Sequence, residues 1–458
     1  MIFFNPDCYE GYRFPSIGML YIAALLKRKG HSVEYIDANY HPDWRERLDR
    51  AQRDHDWIGL TANALSIGPS MTVSELIREK YPDKKIIMGG PYPSIMYDEL
   101  MPEYADACAV GESEYTVLEM AEGIPLDKIE GLAFMDGGEL RFNGRRPLIE
   151  DIDALPFPAW EMGDVSKYRL EHTKYNPVLP IISSRGCPYN CIFCASDVIF
   201  RNRIRYRSAD SVLEEMDELI YRHGAREIHF WDDNFTLRRK RTMQICEGII
   251  KRGYKNISIM IPSGIKPDVG DYELFSTMKK AGFYSICIAV ESYNQDIMNK
   301  LGKKVKVDRV RDVIAAARKA GILMNGFFML GLPYDTEETM RRNIEHACSL
   351  PLHQAMFFIT IPLPGTDLYD IAREKGRMLY HNNKNLYEQG FFLGRAAYEM
   401  PGQFDAETLE KMFRLANRKF YYRPATLLTL LLKRIHTPMH LVYLFRKFLR
   451  VVFRGRQF

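Results

Sequence analysis

The chain has 458 residues, 46% of them hydrophobic and 27% charged, with 8 Cys. This is globular composition, enough for two to three domains of about 150 residues, and it excludes collagen-like, disordered and disulfide-scaffold chains. The net charge of +4 is uneven: Lys411–Phe458 holds 12 Lys and Arg and no acid, which leaves 51 basic against 59 acidic residues, or −8, before it.

No run reaches the roughly 18 apolar residues of a membrane span. Met1–Phe14 has no basic segment followed by an apolar one, so no signal peptide is expected. Sparse cysteines without an export signal point to a reducing, cytoplasmic setting, where a cysteine cluster binds metal rather than pairs.

The first 120 residues alternate short apolar runs with helical periodicity. Strands are expected at Met1–Asn5, Ser32–Ile36, Trp57–Thr61, Lys85–Met88 and Ala107–Val110. Helices are expected at Ser16–Lys29, Pro69–Tyr81 and Glu114–Gly123. This α/β rhythm predicts a doubly wound parallel sheet, whose ligands lie beyond the carboxyl ends of the strands. Those ends carry Thr61-Ala62-Asn63, Gly89-Gly90-Pro91 and Gly111-Glu112. Such small residues let a large flat ligand approach the backbone, or simply make turns. Pro147–Pro180 is proline-rich and reads as an ordered linker, with Phe157 and Trp160 packing on a domain surface.

Pro180–Gly186 reads as a strand running into Cys187-Pro-Tyr-Asn-Cys191-Ile-Phe-Cys194, a C-x3-C-x2-C spacing. Three thiolates on one tight loop can hold three irons of a [4Fe–4S] cube and leave the fourth open. Zinc is the rival, but structural zinc takes four closed ligands, and nearby His172 has the wrong spacing. Strands Glu227–Trp231, Ile257–Ile261, Ser285–Val290, Leu323–Leu330 and Ala355–Ile361 follow. They alternate with helices Ser208–His223, Arg238–Arg252, Tyr272–Ala281, Asp308–Ala320 and Glu337–Ser349. Six β/α units predict a partial (β/α)6 TIM-like barrel. Polar and small residues cluster at its active carboxyl ends: Asp232-Asp233-Asn234, Glu291-Ser292 and Gly331-Leu-Pro333.

With these features the chain resembles the radical S-adenosylmethionine (SAM) superfamily, in the branch with an N-terminal cobalamin-binding domain. The resemblance rests on the cysteine signature with Phe193 before its last cysteine, on the linker Leu155–Trp160, and on Asp232–Thr236. The branch contains methylases of unactivated carbon, the anaerobic porphyrin-ring cyclase and hopanoid-lipid methylases. The resemblance implies a Rossmann-like cobalamin-binding domain over 1–140 and a linker over 141–180. A radical SAM barrel over 181–370 and a basic helical region over 371–458 complete the chain.

It further implies that Cys187, Cys191 and Cys194 ligate the [4Fe–4S] cluster, whose open iron chelates SAM. Phe193, Gly331 and the Ile361–Gly365 loop would lie near adenine. Asp232 or Asp233 would accept from the SAM ammonium, and Glu291 would bind the ribose or sulfonium region. Ser263 and Lys266 are candidates for the SAM carboxylate. Thr61, Ala62, Asn63, Gly89, Gly90, Pro91, Gly111 and Glu112 would contact cobalamin. Read without the resemblance, Asp232–Asn234 is an ordinary strand-to-helix cap. One departure stands out: the D-x-H-x-x-G motif of a lower histidine ligand is absent after the first strand. Cobalamin is therefore expected base-off without a histidine, or the domain is vestigial.

The implied chemistry is reductive cleavage of SAM to methionine and a 5′-deoxyadenosyl radical. Methylation of an unactivated carbon in an apolar or natural-product substrate through methylcobalamin would follow. Two alternatives are a radical oxidoreductase or cyclase without methyl transfer, and a non-enzymatic iron–sulfur module. Expected partners are a small molecule such as a lipid or tetrapyrrole and a reductant such as flavodoxin or ferredoxin, with no nucleic acid. After a helix at Glu407–Tyr422, Thr426–Ile435 and His440–Phe453 read as basic amphipathic helices. They suit peripheral contact at the inner membrane face, or a lid over the barrel.

Overall fold

The structure is a computed structural model that describes residues 1–6, 14–63, 66–170, 173–380 and 394–423. The two basic amphipathic helices expected beyond Thr426, with their membrane contact, lie outside the described residues, as does His172. Among the described residues no helix is long and apolar enough to cross a membrane. The first of two compact units comprises Met1–Leu170 with Val198–Phe200 and Tyr221–Gly224, and the second comprises the remainder.

In the first unit, β1 (Ile2–Asn5), β2 (Glu34–Asp37), β3 (Trp57–Thr61), β4 (Lys85–Gly89) and β5 (Ala107–Ala109) form a parallel sheet in the order 2-1-3-4-5. Ile2, Phe4, Ile58, Leu60, Ile86 and Met88 on one face and Phe3 and Ile87 on the other are all buried, as strands covered on both faces require. Helices α1 (Ile17–Arg28), α2 (Trp44–Ala51), α3 (Ile67–Lys80), α4 (Pro93–Leu100) and α5 (Glu114–Ala121) make the connections. The strand order reverses between β1 and β3, which creates a crevice beyond their carboxyl ends.

Helices α2 and α4 and an antiparallel hairpin, β6 (Leu132–Asp136) and β7 (Glu139–Phe142), were not expected from the sequence. Helix α2 is highly charged and buries only Leu48. Pro93 opens α4, where a proline costs no hydrogen bond. The proline-rich stretch is strapped to this unit. Trp160 is fully buried, the Ala159 amide donates to Leu20 O at 3.0 Å, and the Tyr168 hydroxyl donates to buried Asp37 at 3.1 Å.

The second unit opens with β8 (Val178–Ile181), β9 (Ser184–Arg185), the start of α6 (Ser196–Phe200), whose Val198–Phe200 belong to the first unit, and β10 (Arg205–Tyr206). There follow α7 (Ala209–Asp217), β11 (Glu227–Phe230), α8 (Arg239–Arg252), β12 (Ser258–Ile265), α9 (Tyr272–Lys280) and β13 (Phe283–Glu291). Next come α10 (Gln295–Lys300), α11 (Val310–Lys319), β14 (Leu323–Leu330), α12 (Glu337–Ser349), β15 (Gln354–Ile359) and α13 (Asp367–Lys375). Last are β16 (Arg377–Met378), β17 (Tyr398–Glu399) and α14 (Ala406–Tyr421).

Six parallel strands run in the order 8-11-12-13-14-15, and β8 and β15 are the two edges, so the barrel is open. Helix α11 shows why the pattern folds this way. It buries Val310, Val313, Ile314 and Ala317, one stripe at helical spacing. Each large aliphatic there contributes about 1.5–3 kcal/mol. Side chains of Ser208, Asp271, Asn294, Thr336 and Thr366 cap the starts of α7, α9, α10, α12 and α13. Helix α14 packs on α12 and β15, and its Tyr421 hydroxyl donates to Ala355 O at 2.7 Å.

Candidate functional site

The loop from β9 to α6 carries the three clustered cysteines. Its apolar residues anchor it: Ile192 and Phe193 pack on a small core of Ile297, Met298, Leu301, Val305 and Leu332. The Ile192 amide donates to Leu301 O at 3.1 Å, and Ile192 O accepts from the Leu368 amide at 2.9 Å. Gly302, at φ +70°, lets the chain pass so close that a Cβ there would meet Asn190 O at 2.8 Å. Anchored in this way, the loop leaves Cys187, Cys191 and Cys194 as partly exposed free thiols.

Burial pushes the Cys191 thiol up to about 11 and the Cys194 thiol to about 12, and raises Cys187 as well. The Lys303 ammonium opposes the rise at Cys191 and Cys187. Such thiols become ligands when metal charge stabilises the thiolate. Among the described residues no three His, Cys, Asp or Glu side chains gather as one metal ion would need. A cubane differs, because it takes each thiolate at a separate iron.

The two aspartates at the end of β11 have separate parts. Asp232 is fully buried and accepts from the Ser183 hydroxyl at 2.7 Å, the Ser184 hydroxyl and the Ser183 amide at 3.3 Å. It ties β11 to the base of the cysteine loop. Asp233 is exposed and accepts from Ser196 Oγ at 2.8 Å, two residues past Cys194. Desolvation in this recess pushes its carboxyl up, with Ser196 opposing. Its charge acts on both Cys187 and Cys194.

Glu291 ends β13 at a register shift, in the left-handed region at φ +59°. That conformation costs a non-glycine residue about 1–3 kcal/mol, and such strain concentrates at functional sites. Lys303 Nζ donates to Glu291 Oε1 and to Ala289 O, both at 2.8 Å, and lies 5.8 Å from the Phe193 ring centroid. Asn343, on α12, clamps the same turn: it donates to Glu291 O and Met329 O and accepts from the Tyr293 amide. Neither Lys303 nor Asn343 carries a signal of this role in the sequence. One lies in a lysine-rich stretch and the other on a helix face that reads as core.

Ser263 is exposed at the end of β12. Lys266 is half-buried and committed to Asp268 at 2.6 Å, with its ammonium 5.5 Å from the ring centroid of Tyr189 in the cysteine loop. Gly331 adopts φ +76°, packs against Leu409, and accepts from the Tyr398 hydroxyl. Asn234 Oδ1, Thr236 Oγ1 and Thr360 Oγ1 are buried without a partner among the described residues. All three follow the carboxyl ends of β11 and β15, and orphaned polar atoms there suit a bound polar group.

In the first unit, Thr61-Ala62-Asn63 and Gly89-Gly90-Pro91 are knitted together. The Ala62 amide donates to Gly89 O at 2.8 Å, the Tyr92 amide donates to Ala62 O at 3.1 Å, and a Cβ on Gly90 would meet Ala62 O at 2.7 Å. Gly90, at φ +109°, is thus required by chain approach. Asn63 exchanges hydrogen bonds with Ser66 at the start of α3. Gly111, at φ +88°, has open space where a side chain would be. Glu112 turns inward and accepts from the Ile149 amide at 2.8 Å.

Residues 10–121 match the B12 binding domain and residues 181–347 the radical SAM superfamily. An uncharacterized methyltransferase of Pyrococcus horikoshii is 29% identical over 422 residues, 90% of this chain and 89% of the relative. The anaerobic magnesium-protoporphyrin IX monomethyl ester cyclase of Cereibacter sphaeroides is 25% identical over 403 residues, 84% of this chain and 65% of the relative. The structure of TsrM from Kitasatospora setae, a radical SAM methyltransferase with cobalamin and a [4Fe–4S] cluster bound, superposes with a TM-score of 0.72. That match is 17% identical and covers 93% of this chain and 89% of the other.

Proposed function

We propose, for a chain that belongs to the radical SAM superfamily and its B12-binding branch, that it transfers a methyl group to an unactivated carbon of an apolar small molecule. The observation that carries this is the gathering of three free thiols and the Asp233 carboxylate at the carboxyl end of an open barrel. A parallel sheet with a switch-point crevice accompanies it in the same chain. When bound, the [4Fe–4S] cluster, SAM and cobalamin supply one-electron reduction, a carbon-centred radical and the methyl group.

The chain's own residues bind and orient. Cys187, Cys191 and Cys194 offer three thiolates. Asp233 offers the SAM ammonium a carboxylate, while Asp232 holds the loop beneath it. Glu291 and Lys303 offer a paired acceptor and donor to the ribose and carboxylate ends, with Ser263 nearby in role. Phe193, Gly331 and Ile361–Gly365 would flank adenine. Lys266, spent on Asp268, steadies Tyr189 in the loop. Thr61–Asn63, Gly89–Pro91 and Gly111 would meet cobalamin, while the inward-turned Glu112 supports its own loop.

An apolar substrate is supported by alternate residues of β14 and β15. Phe327, Met329, Met356 and Phe358 stay partly exposed, while Phe328, Leu330, Phe357 and Ile359 between them are buried. A tetrapyrrole fits this surface, and the cyclase relative is named for one. A second reading, oxidation or cyclisation without methyl transfer, rests on that relative. Anaerobic reconstitution with iron, sulfide and hydroxocobalamin, then SAM and dithionite, separates them. Methylation yields S-adenosylhomocysteine alongside 5′-deoxyadenosine and a methylated product. Deoxyadenosine alone, with no bound corrinoid, would favour the second reading. Loss of both signals in Cys191→Ala ties them to the cluster.

A further inference from the structure

We infer that an acidic, low-potential one-electron carrier protein docks on the surface formed by Lys300, Lys304, Lys306 and Tyr334. The inference rests on the cluster assignment, because it concerns how one electron reaches that cluster. The oxidised cluster gains the electron that the reduced carrier loses, and no atom is transferred.

The surface lies directly behind the cysteine loop. Leu301 and Leu332 belong to the small core on which Ile192 and Phe193 pack. Lys300 precedes Leu301, Lys304 and Lys306 flank Val305 of the same core, and Tyr334 follows Leu332 by two residues. The patch thus borders the apolar core against which the cysteine loop packs. Electron transfer falls steeply with distance, so this is a short route in.

The patch also has the chemistry of a docking face. Lys300, Lys304 and Lys306 are exposed, and Lys303 between them is neutralised by Glu291. From Lys300 to Arg309 the segment holds five basic residues and one acid, Asp308. Tyr334 is 39% exposed and is presented by a strained backbone at φ +81°. Its amide is pinned by Gln403 at 2.6 Å, and the Lys300 ammonium sits 4.9 Å from its ring centroid. An exposed aromatic in a basic rim is a typical interface anchor. On the other side of Ile192, Asp367 and Asp370 occupy the first turn of α13. Basic residues outnumber acidic ones on the lysine side of the loop, where Asp296 and Asp308 are the exposed acids, which orients an acidic carrier over the lysines.

The test compares wild type with Lys300→Glu/Lys304→Glu/Lys306→Glu in the reconstituted enzyme, using flavodoxin with its reductase as the probe. Deoxyadenosine formation driven by flavodoxin should fall about tenfold or more, the scale of lost steering. The dithionite-driven rate should stay within about twofold, since dithionite needs no docking face. Wild-type flavodoxin-driven rates should drop with added salt and those of the variant should not. Binding of oxidised flavodoxin to the SAM-free protein, read by flavin fluorescence, should weaken in parallel. Equal flavodoxin binding and equal salt dependence in the two proteins would overturn the inference. If dithionite also fails in wild type, the functional reading fails instead, and the binding measurement still decides the docking surface.

Discussion

The Asn343 carboxamide donates to the Glu291 carbonyl at 2.9 Å, from the middle of a helix to the end of a neighbouring strand. It also donates to Met329 O at 3.2 Å and accepts from the Tyr293 amide at 3.0 Å. Three bonds from one side chain over-determine a backbone turn that would otherwise relax from φ +59°. Asn343→Ala should weaken SAM binding about tenfold, with iron content unchanged. Because Asn343 acts through Glu291, the double variant with Glu291→Gln should bind SAM no worse than Glu291→Gln alone. Additive losses in calorimetry would show that Asn343 has some other part.

Asp232 and Asp233 are neighbours with opposite expected phenotypes. Asp232→Asn takes an acceptor from Ser183 and Ser184 in a fully buried setting. It should cost about 2–4 kcal/mol of stability, seen as a fall in Tm. Asp233→Asn removes an exposed charge beside the cysteines and alters one hydrogen bond, to Ser196. Its Tm should hold, while SAM affinity drops about tenfold. If Asp233→Asn melts early and Asp232→Asn does not, the two assignments are reversed.

The legible parts of this chain were those set by local pattern. The C-x3-C-x2-C loop and the runs Trp57–Thr61, Leu323–Leu330 and Glu337–Ser349 coincide with observed elements, because their periods or spacings are strong. Elements stabilised by tertiary contact escaped. Helix α2 is so charged that it buries only Leu48, and α4 opens on Pro93 two residues after Pro91, so neither carries an apolar helical stripe. In the site, proximity in sequence hid a division of labour between Asp232 and Asp233. Lys303 meets Glu291 across 12 residues and Asn343 meets it across 52, distances at which a single sequence carries no pairing signal.

The cysteine loop depends on its apolar residues as well as its thiols. Cys191→Ala should abolish iron uptake on reconstitution and shift Tm little, since the thiol is only partly buried. Ile192→Ser keeps every ligand but removes an anchor on the Leu301 and Leu332 core. Its iron content, measured by colorimetric assay, should fall below half of wild type. Full iron loading in Ile192→Ser would mean that the thiols alone define the loop.

Far from the cysteines, Glu227 at the start of β11 is fully buried with five donors. These are the Lys174 amide at 2.9 Å, the Tyr175 amide at 3.0 Å, Ser258 Oγ at 2.7 Å, the Tyr284 hydroxyl at 2.8 Å and His229 Nε2 at 2.9 Å. Burial alone would raise its pKa, but the His229 bond and charge, Ser258 and the Tyr175 amide together hold the carboxyl below its ordinary value. The folded pKa is therefore depressed. Its stabilisation is present above the unfolded value, about 4.3, and is lost as pH falls through the folded one. Glu227→Gln should cost about 3–5 kcal/mol near neutrality, as expected for breaking a buried charged network. Urea unfolding from pH 7.5 down to pH 3.5 should show the gap between wild type and variant narrowing on the acid side, as the wild-type carboxylate takes up its proton. A gap independent of pH would assign the loss to packing rather than to the charge of Glu227.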